Sequence, residues 1–388
     1  MYNFDFYNPT RIYFGKNRLE VLDNNIPSDA SVLITYGGGS AKRSGLIEKV
    51  KACLGKRRVI EFGGIEPNPR FETLLKAAEI VRNENIGFML AVGGGSVIDG
   101  TKFIALASYF KGDPSDLLKH GFAPVTSREV ERVVPFGTVL TLPATGSEMN
   151  NGAVISYGHG KFPVMSELSF PKFSILDPVL TFTLPKIQLA NGVIDAFIHT
   201  TEQYITFPVD ARIQDRIAEG ILQTLIETAE TNLSEPENYD ARANLVWSAT
   251  MALNGIIGAG VPQDWTTHMI GHELTALFGI DHGQTLAIVF PAVLEVRREQ
   301  KRAKILQYAE RVWHITEGSE EEKISRAIQK TRDFFESLGI KTRLSGYGVT
   351  ADKIQLIMDQ LEAHGLTKLS ETRDLTLDIS RKILEKAF

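Results

Sequence analysis

The 388-residue chain has a single cysteine, Cys53, which excludes an internal disulfide and any metal site built from several thiolates. Long hydrophobic runs are also missing. The longest nearly uninterrupted one, Leu286 to Leu294, is nine residues and contains Pro291, about half of the ~20 residues that a bilayer span requires. Residues Met1 to Gly15 hold no apolar core behind a basic start, so no signal peptide is read there. The expectation is a cytoplasmic protein without a membrane partner. Charge of one sign is not in excess: 42 Lys and Arg against 47 Asp and Glu give a net charge of −5. A nucleic-acid partner, which needs a basic face, is not expected. Finally, the sequence contains no G-x-G-x-x-G, so the common dinucleotide fingerprint cannot be invoked.

What is present is apolar material for two cores, with 43% hydrophobic against 23% charged residues. The first half alternates β-branched runs with glycine turns and amphipathic stretches, as a parallel α/β layer does. Strands are expected at Arg11 to Phe14, Val32 to Tyr36, Arg58 to Phe62, Phe88 to Val92, Val139 to Leu142 and Ser174 to Asp177. Helices are expected at Ser44 to Leu54, Phe71 to Asn83 and Val97 to Phe110. Beyond Pro185 the pattern becomes helical throughout: Val193 to Tyr204, Ile213 to Thr228, Asp240 to Leu253, Asp264 to Leu277, Lys301 to Trp313, Glu321 to Leu338 and Ala351 to His364. Two domains follow, an α/β domain over 1–185 and an all-helical domain over 186–388, with a ligand expected in the cleft between them.

Two glycine loops take the place of the missing fingerprint. Gly93-Gly94-Gly95-Ser96 lies directly between a strand and a helix, where consecutive backbone N–H groups and a helix N-terminus converge on a phosphate-sized point. A tight turn without a ligand would look the same, but strand carboxyl ends of a parallel sheet are where ligands gather. Thr141 to Glu148 follows another strand and sets hydroxyls beside a glycine. The third element, Gly37-Gly38-Gly39-Ser40, ends the strand Val32 to Tyr36 and is followed by Lys42 and Arg43. An NAD site usually places an acid near a strand end for the ribose 2′-hydroxyl, and this loop has none, which favours NADP unless the two cations are merely solvated.

In the helical half, Asp195 and His199 are four apart, as are His268 and His272, and His282 follows. Residues four apart on a helix share a face. Four of the eight histidines fall between 199 and 282, among apolar residues where an unpartnered imidazole is costly. One carboxylate with three imidazoles suits Fe²⁺ or Zn²⁺. Spacing alone leaves open which of His268, His272 and His282 bind the metal.

These residues resemble the metal-dependent, iron-containing alcohol dehydrogenases, also called group III. Gly93 to Lys102 is similar to the family's GGGSxxDxxK loop and Thr141 to Glu148 to its TTxGTGSE segment. Asp195-Ala196-x-x-His199-x-x-Glu202 and His268-x-x-x-His272 with His282-Gly283 resemble its two metal-binding stretches. Tyr36 to Ser40 and Pro67-Asn68-Pro69 are most like the branch of NADPH-dependent aldehyde reductases and butanol dehydrogenases of the YqhD type. The resemblance implies a dehydroquinate synthase-like fold, with an α/β dinucleotide-binding domain and an all-helical domain, and a homodimer. It implies metal ligation by Asp195, His199, His268 and His282, with His272 as the catalytic residue near nicotinamide and substrate. Gly37, Gly38 and Ser40 would hold the 2′-phosphate of NADP(H). Gly94, Gly95, Ser96 and Asp99 would hold pyrophosphate and ribose, and Thr138, Thr141, Leu142, Ser147 and Lys161 the rest of the cofactor. Leu142-Pro143-Ala144 departs from the family segment, which puts contacts by its second hydroxyl in doubt.

The implied activity is reversible reduction of aldehydes to primary alcohols, with the metal polarising the carbonyl oxygen and His272 relaying a proton. A polyol dehydrogenase or dehydroquinate synthase-like lyase would need more charge than Leu253 to Val261 and Leu277 to Ile280 supply. A metal-dependent hydrolase of zincin type would need glutamate where Met269 follows His268.

Overall fold

The computed structural model describes residues 1–388, which form two compact units, Tyr7–Leu184 and Pro185–Phe388, the second completed by Met1–Phe6. The first six residues therefore leave the α/β half to which the sequence assigned them. The amide of Tyr2 donates to the Gly260 carbonyl at 2.9 Å, and a Cβ on Gly260, at φ +70°, would sit 2.7 Å from the Phe4 ring. Glycine at that turn is what lets the chain start lie flat on the helical unit.

In the α/β unit the strands are β1 (Arg11–Phe14), β2 (Val32–Tyr36), β3 (Val59–Phe62), β4 (Phe88–Gly93), β5 (Phe136–Leu140), β6 (Gly152–Tyr157), β7 (Gly160–Met165) and β8 (Phe173–Leu176). Helices α1 (Val21–Asn25), α2 (Ser40–Arg43), α3 (Leu46–Leu54), α4 (Phe71–Asn83) and α5 (Gly95–Ala107) alternate with them. Six strands form one parallel sheet in the order β1-β8-β5-β4-β2-β3. Strands β2 and β4 are buried at every residue, as expected of a sheet covered on both faces. Val32, Ile34, Leu90 and Val139 pack against Leu46, Ile47, Val50 and Leu54 of α3, which recur at helical spacing.

Besides small shifts of element bounds and the unexpected short helices α1 and α2, two features of this unit differ from the sequence reading. Strand β5 begins at Phe136, three residues early, because Gly137 is a packing glycine and not a breaker: a Cβ there would meet the Phe173 ring at 2.5 Å. The antiparallel hairpin β6–β7 was not anticipated at all; its registered pairs run from Gly152↔Met165 to Tyr157↔Gly160, with Pro163 inside a strand.

The second unit contains α6 (Lys186–Tyr204), α7 (Arg212–Ser234), α8 (Tyr239–Ala252), α9 (Thr266–Phe278), α10 (His282–Val296), α11 (Arg302–Arg311), α12 (Glu320–Ser337), α13 (Ile354–Ala363) and α14 (Leu377–Lys386). A short ladder of β9 (Lys368–Leu369) and β10 (Leu375–Thr376) is the one departure from an all-helical domain. Helix α6 starts seven residues before the expected Val193, so that Asn191 and Gly192 lie inside it. Helix α10, which was not expected, accommodates Pro291 in its interior and is buried from Thr285 to Leu294. Helices α9, α10, α13 and α14 share a core that includes Leu274, Ile288, Val293, Ile357, Leu361 and Leu384.

Helix α6 is buried on all sides from Val193 to Tyr204. Its C-terminal carbonyls need partners. The Ile205 carbonyl accepts from the Lys301 ammonium at 2.8 Å, which also pairs with Asp264 at 2.8 Å and Glu371 at 3.0 Å. Asp264 in turn accepts from the Thr266 amide at 3.1 Å and so caps the start of α9. One buried ammonium thus ties the end of α6 to the start of α9. Burial acts to lower its pKa, but the two carboxylates outweigh burial and raise it. Lys301→Met would strand two carboxylates with no cation, and is expected to lower stability by ~3–5 kcal/mol; urea unfolding of the two proteins measures the difference.

Candidate active site

The chain runs from β2 outward to β3, then returns to β4 on the other side of β2. That reversal is a topological switch point, where crevices open at strand carboxyl ends. Gly37–Ser40 leaves β2 and Gly93–Ser96 leaves β4, so the two loops flank it. The glycines are not equivalent. A Cβ on Gly94 would lie 2.9 Å from Leu142 Cβ, and one on Gly95 only 2.5 Å from Thr145, so these two are needed for the loop after β4 to pack against the loop after β5. A Cβ on Gly37 would lie 3.2 Å from the Ile65 carbonyl, whereas one on Gly38 would meet nothing within 4 Å. The fold supplies no steric reason for glycine at position 38.

Asp99 and Ser147 are brought together, but by each other: the Ser147 hydroxyl donates to Asp99 Oδ1 at 2.6 Å, and the Val154 amide to Asp99 Oδ2 at 2.9 Å. Lys102, fully buried, donates to Ser147 Oγ at 2.9 Å and to Asn150 Oδ1 and the Gly152 carbonyl at 2.8 Å. These bonds fasten α5 to the loop after β5 and to the hairpin. Burial raises the Asp99 pKa and pushes the Lys102 ammonium down to about 8. Asn68, in the left-handed region at φ 58°, joins the set, its main-chain amide donating to Ser96 Oγ at 3.3 Å and its side-chain Oδ1 accepting from Lys161 at 2.8 Å. The Thr138 hydroxyl is buried on β5 without a hydrogen-bond partner. Thr141 and Leu142 follow β5, half-buried, and Ser40 is exposed at the start of α2.

One acid near the first loop escaped the sequence reading. Glu61 on β3 accepts from Lys51 at 2.9 Å, Lys42 at 3.1 Å and the Tyr36 hydroxyl at 3.2 Å, and these bonds hold its carboxyl down at about 2. Lys42 is therefore paired and not merely solvated. Lys51 also pairs with Glu48 at 3.2 Å, so two lysines and two carboxylates balance in the cluster.

In the helical unit, α6 supplies Asp195 and His199 one turn apart, α9 supplies His268 and His272, and His282 opens α10. The Nε2 atoms of His199, His268 and His282 lie 3.6, 3.7 and 3.6 Å from Asp195 Oδ1. Ligand atoms of Asp195, His268 and His282 all fall within 4.8 Å of one another. Tetrahedral ligands ~2.1 Å from a cation are ~3.4 Å apart, so this spacing fits one metal ion. Asp195 Oδ1 and His268 Nε2 are buried and have no hydrogen-bond partner, an arrangement that is costly unless a cation takes their lone pairs. Burial would raise the Asp195 pKa, but the imidazoles hold it well below the carboxylate range. Burial likewise opposes charge on His268, yet Glu202 and Asp195 push its pKa up to about 9.

His268 and His282 face Asp195, whereas the His272 ring lies beside that of His282 at 5.1 Å and 6.1 Å from that of His268. Trp265, left-handed at φ 61°, sets its ring edge-on to His199 and His268, a strained conformation of the kind found where packing over-determines a site. Gly283 explains how α10 comes close enough: a Cβ there would be 2.7 Å from the Asn191 carbonyl of α6.

The chain matches two family descriptions in sequence order, iron-containing alcohol dehydrogenase over residues 9–178 and the C-terminal part of the same family over 189–388. It belongs to the iron-containing alcohol dehydrogenase family. Among its relatives, the NADPH-dependent aldehyde reductase YqhD of Escherichia coli is 57% identical over 391 residues, with both chains covered in full. NADH-dependent butanol dehydrogenase A of Clostridium acetobutylicum is 38% identical, again over the whole of both. The substrate- and cofactor-free structure of YqhD superposes with a TM-score of 0.93 at 56% identity, covering 100% of each chain. A butanol dehydrogenase A from Thermotoga maritima superposes at 0.92 with 34% identity, covering 100% of this chain and 99% of its own. No helix of this family member is long and apolar enough to cross a membrane.

The contact at Gly283 gives a direct test of how the site is assembled. Gly283→Ala would push α10 from α6 and move His282 away from Asp195. It is expected to cost ~1–3 kcal/mol by overpacking and to weaken Zn²⁺ binding by ~10-fold, read by thermal unfolding and by chelator competition.

Proposed function

We propose that the protein reduces aldehydes to primary alcohols, reversibly, using NADPH and one divalent cation, Fe²⁺ or Zn²⁺. The observation that carries this reading is the convergence of three imidazole nitrogens on one buried carboxylate oxygen, at 3.6 to 3.7 Å, in a member of a dehydrogenase family. Asp195, His199, His268 and His282 hold the cation. When bound, the reduced nicotinamide supplies a hydride and the cation polarises the carbonyl oxygen as a Lewis acid. His272, nearly buried beside His282, gives the proton that the new alcohol oxygen takes up, its imidazole suiting exchange near neutrality.

On this reading the glycine loops hold the cofactor. Gly94, Gly95 and Ser96 receive the pyrophosphate through backbone N–H groups at the start of α5, and Gly37, Gly38 and Ser40 receive the 2′-phosphate. Thr138, Thr141, Leu142 and Lys161 line the remainder, while Asp99 and Ser147 act by shaping the loop through their mutual bond. NADPH is favoured by the absence of a free acid at the end of β2 and by the name of the 57% identical relative; relatives at 42% and 38% identity are named NADH-dependent, and one at 40% NADP-dependent. A polyol-type substrate is the second reading, since a 1,3-propanediol dehydrogenase is 25% identical. A hydrolase is disfavoured because Met269 stands where a zincin needs its glutamate. We further read the protein as cytoplasmic and as a homodimer, the dimer being supported by β1, whose outer edge carries no partner strand and whose Phe14 is exposed.

With butanal and NADPH, absorbance of the reduced cofactor is expected to fall, and a chelator should stop it until Zn²⁺ or Fe²⁺ is returned. No consumption of NADPH by the metal-loaded protein with any aldehyde of a panel would end the proposal. Gly38→Asp fits without steric conflict and sets a carboxylate where the 2′-phosphate is placed, so the ratio of kcat/KM for NADPH over NADH should drop by at least ~10-fold; an unchanged ratio would remove this account of the loop.

A further inference from the structure

Glu202 lies on the same face of α6 as Asp195 and His199, a further turn along, and is 2% exposed. Its carboxylate meets two donors at once: Oε2 bonds His268 Nδ1, and Oε1 accepts from the Thr267 amide at 2.6 Å. Its own carbonyl accepts from the Asp264 amide at 2.9 Å, so the segment before α9 is fastened to Glu202 by main chain and side chain together. A carboxylate only accepts, so His268 Nδ1 must carry the ring proton. When a cation displaces the second ring proton, the lone pair is on Nε2, the atom that lies 3.7 Å from Asp195 Oδ1.

We propose that Glu202 is a positioning residue that sets the Nδ1–H tautomer and ring plane of His268, and through them the affinity of the site for a divalent cation. This rests on the reading that Asp195, His199, His268 and His282 hold that cation. The Thr267 amide prevents the carboxylate from rotating away, and the negative charge behind the ring makes Nε2 a stronger donor. Glutamine cannot substitute. Both the Thr267 amide and His268 Nδ1–H demand an acceptor, and an amide offers one oxygen and one NH₂. With its oxygen on Thr267, it would donate to Nδ1 and force the proton onto Nε2, blocking the ligand atom. With its oxygen on His268, it would oppose two donors.

The test compares metal-free wild type, Glu202→Gln, His268→Ala and the double variant, titrated with Co²⁺ by d–d absorption and with Zn²⁺ by chelator competition. Metal-free unfolding curves serve as the fold control. Glu202→Gln is expected to bind ~10–100-fold more weakly, and to add no further loss in the His268→Ala background. Equal affinity of Glu202→Gln and wild type, or additive losses in the double variant, would overturn the proposal. Failure of wild type to bind either ion would instead overturn the function on which it rests. Should Glu202→Gln not fold, the ¹⁵N shifts of His268 in Zn²⁺-loaded wild type decide the matter: a protonated Nδ1 supports the assignment and a protonated Nε2 refutes it.

Discussion

A buried carboxylate oxygen surrounded by three imidazoles is the constraint around which the helical unit is organised. Asp195 is 3% exposed, and a charge so far from water persists only where opposite charge or strong hydrogen bonding offsets its desolvation. The compensation comes from α6, α9 and α10, which must be held to within fractions of an ångström for three ring nitrogens to reach one oxygen. Several otherwise costly features serve that end: a buried lysine between two acids, a left-handed tryptophan, and a glycine that permits two helix backbones to touch. Their costs are intelligible only together.

The α/β unit follows the same principle with different groups. Asp99, half-buried, and Lys102, fully buried, lie one turn apart on α5 and exchange hydrogen bonds with the loop after β5 and the hairpin. The pair therefore stiffens the glycine loop at the switch point, so that its backbone N–H groups are presented in a fixed array. A preformed array is what anion binding by backbone requires, since ordering a floppy glycine loop on binding would cost conformational entropy.

Much of this was legible in the chain. Strands β2 and β4 were marked by β-branched runs ending in triple glycine, and α3 and α4 by apolar residues at helical spacing. The paired intervals of Asp195 with His199 and His268 with His272 pointed to shared helix faces before any coordinates. Element bounds or whole elements were missed in three places where a glycine or proline lies inside the element: Gly137 in β5, Gly192 in α6 and Pro291 in α10. In each, tertiary packing outweighed local propensity. Asp99 and Ser147 were read as contacts to a cofactor; that they also bond each other was not legible, because a motif records which residues recur and not what they touch.

Local chemistry determined what the chain could decide alone: the alternation of elements, the glycine turns, and the stock of imidazoles and carboxylates within one stretch. Only the folded molecule decided which nitrogen faces which oxygen, that His272 stands aside from Asp195 while His282 meets it, that Glu61 sits between two lysines, and that Glu202 stands behind His268. The reason is one of range. Spacing along a helix specifies a face over a few turns, whereas these contacts join residues of different elements some ten to ninety positions apart. Their geometry depends on how whole helices and strands pack, and packing is settled by every side chain in the core at once.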